Sequence, residues 1–94
     1  MNGITWFQEI DRQFVVFIAV THAGSMTTQQ VMSMRLAFHC GFQVTIKFFR
    51  DNDMAICNYE LGWEEYLEVF KIMCVTKQFQ DRCEEIANQH SNRN

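Results

Sequence analysis

Ninety-four residues suffice for one small domain, and 48% of them are hydrophobic, nine being Phe, so material for a packed core is ample. The net charge of −3 comes without any run of Lys or Arg. That balance argues against nucleic acid as the main partner and against an anionic membrane surface, since both require a basic stripe.

Cysteines stand at 40, 57, 74 and 83, inside apolar patterns rather than loops, and no C-x-x-C or H-x-x-H pair occurs. This usage predicts reduced, mostly buried thiols in a cytoplasmic protein. A metal site drawn from Cys40, Cys57, Cys74 or Cys83 with His39 or His90 would lack the closely spaced ligand pairs that zinc sites use, so neither metal nor cofactor is expected.

In chain order, Thr5-Trp6-Phe7-Gln8 fits a capping box that opens a short helix over Trp6 to Arg12, with an edge strand as the competing reading. Phe14 to Val20 (FVVFIAV) is β-branched and aromatic throughout, as in a strand covered on both faces. It is too short to span a bilayer. The preceding Glu9, Asp11 and Arg12 have the wrong charge for a signal peptide. After it, His22-Ala23-Gly24-Ser25 leads to a second capping box, Thr27-Thr28-Gln29-Gln30, with Met26 and Val31 placed as a hydrophobic staple. The helix it opens is expected to stop at Cys40, with Gly41 as C-cap.

Phe42 to Phe49 alternates apolar and polar residues, which reads as a half-buried strand. Arg50 to Asp53 is then a turn, and Met54 to Tyr59 the returning strand, with Ile46 opposite Cys57 and Val44 opposite Tyr59. Gly62 marks an N-cap ahead of the stripe Trp63, Tyr66, Leu67, Phe70, Met73 and Cys74. A second stripe, Val75, Phe79, Cys83 and Ile86, lies on the far side of the same helical projection. Either the helix breaks near Val75-Thr76 with Thr76 capping a new segment, or one long helix presents two faces.

The implied fold is α+β: a single two-layer sandwich over residues 1–87, ordered α-β-α-β-β-α, with a three-stranded sheet packed by two main helices. It is an incomplete ferredoxin-like arrangement, followed by a frayed polar tail at 88–94. Such a sheet would leave Val15, Phe17, Phe49, Met54 and Ile56 on its outer face, and the C-terminal helix would add Val75, Phe79 and Ile86. Surplus apolar surface of this kind marks an interface, unless the N-terminal segment with Trp6, Phe7 and Ile10 folds over the sheet face. The expected function is therefore a non-enzymatic protein–protein interaction module, of the accessory, inhibitor, antitoxin or immunity type, and homodimeric through one of these surfaces. A different class of function would use the 22–27 loop. There His22, Gly24, Ser25 and Thr27 at a helix start could hold an anion, or His22 and Ser25 could hydrolyse a bond. A third reading gives Arg35, Lys47 and Arg50 to nucleic acid.

Overall fold

The computed structural model describes residues 2–21, 24–52 and 62–91. Regular structure among them is entirely helical: α1 (Gly3–Thr21), α2 (Thr28–Asp51), α3 (Trp63–Met73) and α4 (Lys77–Ser91). The expected α+β sandwich is overturned, since no strand occurs among the described residues. The returning strand at 54–59 and its hairpin register lie outside them.

The first correction concerns Phe14 to Val20. Asn2, not Thr5, caps α1: its Oδ1 accepts from the Thr5 amide at 2.8 Å, and its carbonyl accepts from the Trp6 amide at 3.0 Å. From there Gly3, Trp6, Phe7, Ile10, Phe14 and Ile18 are buried at steps of three and four, a single helical stripe. The β-branched run is the last part of that helix, and Val16, Phe17 and Val20 are its outer side.

The second correction is the length of α2. Its capping box forms as read: the Thr27 hydroxyl accepts from the Gln30 amide at 3.1 Å, and the Gln30 side chain accepts from the Thr27 amide at 2.8 Å. Gly41 does not end the helix, which continues for ten more residues to Asp51. The residues it buries are Val31, Arg35, His39 and Ile46. The alternation from Phe42 to Phe49 therefore splits: Ile46 turns inward, while Val44 and Phe48 are 68% and 58% exposed.

Gly62 is the N-cap of α3, at a φ of 79° that other residues rarely adopt, and Glu64 and Glu65 occupy the first turn. The helix does break near Val75-Thr76. Thr76 donates its hydroxyl proton to the Met73 carbonyl at 2.7 Å and accepts from the Phe79 amide at 3.2 Å, closing α3 and opening α4. α4 also takes in 88–91, which the sequence assigns to the tail.

Packing follows from ring contacts. α1 and α2 run antiparallel, with Phe14 and Phe17 against Phe38 and Trp6 against Phe42. α3 packs chiefly on α1 and α4 chiefly on α2. Gly3 lets α1 and α3 touch backbone to backbone: a Cβ there would lie 2.6 Å from the Glu65 carbonyl carbon. The radius of gyration, 14.4 Å, exceeds the roughly 12 Å of a spherical domain this size, and the long axis of 46 Å shows why.

Candidate functional site

A set of polar side chains meets inside the bundle, one or more from each helix. α1 supplies Asp11, α2 supplies Arg35, His39 and Gln43 at successive turns, α3 supplies Tyr66, and α4 supplies Cys83 and the Phe79 carbonyl. Arg35 forks onto Asp11, with Nε donating to Oδ1 at 3.0 Å and Nη2 donating to Oδ2. Its Nη1 donates to the Phe79 carbonyl at 3.1 Å and contacts Cys83 Sγ at 3.5 Å. The guanidinium also lies 4.0 Å from the centre of the Phe79 ring.

His39 continues the chain of hydrogen bonds. Its Nε2 is 2.7 Å from Asp11 Oδ1 and its Nδ1 is 2.8 Å from the Tyr66 hydroxyl. A carboxylate can only accept, so the His39 Nε2–H donates to Asp11, and Nδ1 pairs with the Tyr66 hydroxyl. Gln43 Nε2 donates to the Tyr66 oxygen at 3.0 Å. Phe7 stacks on the imidazole at 4.7 Å and Phe70 lies 5.3 Å away. No buried side-chain nitrogen or oxygen among the described residues lacks a partner.

Burial alone would raise the Asp11 carboxyl pKa. Hydrogen bonds from His39 and Arg35, with their charge, outweigh it and hold the group below the usual carboxylate range. Burial pushes the Tyr66 hydroxyl up to about 12, against the hydrogen bond from Gln43. It also pushes the Cys83 thiol up, against the pull of Arg35.

An Asp–His–Tyr line has the hydrogen-bond order of a catalytic relay, but His39 and Tyr66 are fully buried and no substrate reaches them. Only Asp11 keeps some exposure, 22% of its side chain, at a depression of about 300 Å³ beside Arg12 and Arg82. The network holds four helices together. A larger opening, about 800 Å³, lies between the second half of α2 and α3, where Cys40, Val44, Lys47 and Arg50 face Trp63 and Leu67.

Comparison with protein-family models, curated proteins and solved structures finds no match.

Of the residues expected to bind a partner, Phe17 and Val75 are exposed, Val15 and Phe49 are partly buried, and Phe79 and Ile86 belong to the core. Met54 and Ile56 lie outside the described residues, as does His22 of the candidate anion loop. Gly24, Ser25 and Thr27 are exposed, but the Thr27 hydroxyl and amide are engaged by Gln30. Among the described residues no three His, Cys, Asp or Glu side chains converge on a metal position. Of the three cations offered to nucleic acid, Arg35 is in the core, and Lys47 and Arg50 are exposed. No described helix is long and apolar enough to cross a membrane.

Sequence reasoning missed the buried network. Its signal is the spacing Val31, Arg35, His39, Gln43, Ile46, a helical stripe in which the middle members are polar.

Proposed function

We propose that this chain is a non-enzymatic interaction module that pairs with a second copy of itself through the outer side of the last turns of α1. One observation carries this reading. Val16, Phe17 and Val20 are 47%, 42% and 79% exposed and fall within one arc of about 100° on the helix. Phe38 extends the apolar surface from α2, packed 5.7 Å from Phe17. A helix stripe of this kind can lie against its own copy about a two-fold axis, burying on both sides what the monomer leaves in water.

Two features weigh against the other classes of function. The groups best arranged for proton transfer are sealed in the core, and the 22–27 loop spends its threonine on capping. The dimer surface also moves away from the C-terminal helix, where Phe79 and Ile86 are already covered.

Light scattering across a dilution series tests the reading, comparing the parent chain with Phe17→Asp/Val20→Asp. The parent should give a dimer mass that falls on dilution, and the variant a monomer with unchanged helical circular dichroism. A monomeric parent at all concentrations, or a variant that still dimerises, would overturn it.

A further inference from the structure

We propose that the groove between α2 and α3 binds a small amphipathic anion, an acyl chain ending in a carboxylate. The site lies apart from the outer stripe of α1 and does not depend on dimerisation. Its volume, about 800 Å³, falls in the range of small-molecule sites, about 300–1,000 Å³.

The groove combines apolar walls with a cationic end. Trp63 forms a fixed surface, buried edge-on against Trp6 at 5.1 Å and tilted on Tyr66 at 4.7 Å. Leu67 is half-buried beside it, and Val44 faces them from α2 while largely exposed. An alkyl chain between these side chains would take their remaining apolar area out of water.

Lys47 and Arg50 stand one turn apart at the far end of the α2 wall. Their existing partners are weak: Lys47 meets Asp51 at 3.3 Å and Arg50 meets Glu64 at 3.3 Å, both pairs exposed, where such contacts contribute little. The lining carries two cations and one carboxylate, Asp51, and Glu64 stands beside Arg50, so the cations are matched one to one by contacts weak enough for a bound carboxylate to replace. No glycine-rich run stands here to cradle a phosphate group with backbone amides. The wall from Cys40 to Asp51 is about 16 Å long with its cations at one end only, which suits a short chain with one charged head better than a partner helix charged along its length.

Cys40 gives the test a position-specific readout, because it is an exposed thiol on the groove wall. Maleimide labelling of the full chain, read by mass spectrometry on the Cys40 peptide, is run with dodecanoate below its micelle concentration. Dodecanol and dodecyltrimethylammonium are the matched controls. Dodecanoate should slow Cys40 labelling saturably, the two controls should not, and Lys47→Glu/Arg50→Glu should shift the midpoint at least about tenfold weaker with the thermal midpoint retained. Val44→Asp should weaken protection as well, through the apolar wall. Absent protection, equal protection by dodecanol, or an unshifted midpoint in the charge-reversed variant overturns the proposal. So does protection by an acidic helical peptide when dodecanoate gives none, which would assign the groove to a protein partner.

Discussion

Removing the Asp11 carboxylate would leave Arg35 Nε and Nη2 and the His39 Nε2–H without their acceptor in the core, and the guanidinium charge without its counter-ion. Stranding a buried charge typically costs about 3–5 kcal/mol. A chain of this size has only about 5–14 kcal/mol in total, so Asp11→Ala should shift the midpoint of a urea titration sharply downward. Replacing the set together, Asp11→Leu with Arg35→Met, His39→Leu and Tyr66→Phe, should recover most of that loss, because the charges and the hydroxyl that depend on one another are removed at once. Asp11 also sets an acid limb. Its folded pKa lies below the unfolded value of about 3.9, so its contribution is complete above that pH and is lost as pH falls through the folded value. Thermal midpoints of the parent between pH 5 and 2.5 should drop more steeply than those of Asp11→Asn, which lacks the titrating group.

The two helical glycines of α1 and α2 separate propensity from packing. Gly41 has nothing within 4 Å of where a Cβ would sit, so Gly41→Ala should stabilise the chain by up to about 1 kcal/mol. At Gly3 the added carbon meets the Glu65 and Tyr66 backbone at 2.6 and 2.7 Å, and Gly3→Ala should destabilise by about 1–3 kcal/mol as α1 and α3 move apart. Opposite signs in paired chemical denaturation curves are the check. The same two helices show where local sequence was readable. The caps at Thr27 and Gly62 were, because each rests on one side chain or one dihedral within a turn, whereas the cap at Thr76 was one of two readings left open. Phe14 to Val20 was not, since its β-branched residues pack in α1 only through a stripe that begins at Gly3, well outside the run. In α2 the inward stripe carries Arg35 and His39 where a hydrophobic pattern expects apolar residues, so the short alternation at 42–49 stood out as a strand instead.

For the molecule as a whole, surplus apolar surface was legible from composition, but its location was not. The sheet reading turned Val16 inward and overlooked Val20, and the C-terminal helix was given Phe79 and Ile86, which the bundle buries. The buried network escaped notice because its hydrogen bonds join residues 23 to 48 apart, and proximity at that range exists only once four helices have been assembled. That assembly has a consequence for specificity. Apolar helix faces alone tolerate sliding by one turn, 5.4 Å, with little change in buried area. Here a one-turn slip of α2 would pull Arg35 from Asp11 and His39 from Tyr66 together, so rival alignments each leave several polar groups dry and unbonded. A chain rich in interchangeable Phe, Val and Ile thereby acquires one preferred alignment of its helices, and the residues it leaves outside stay outside.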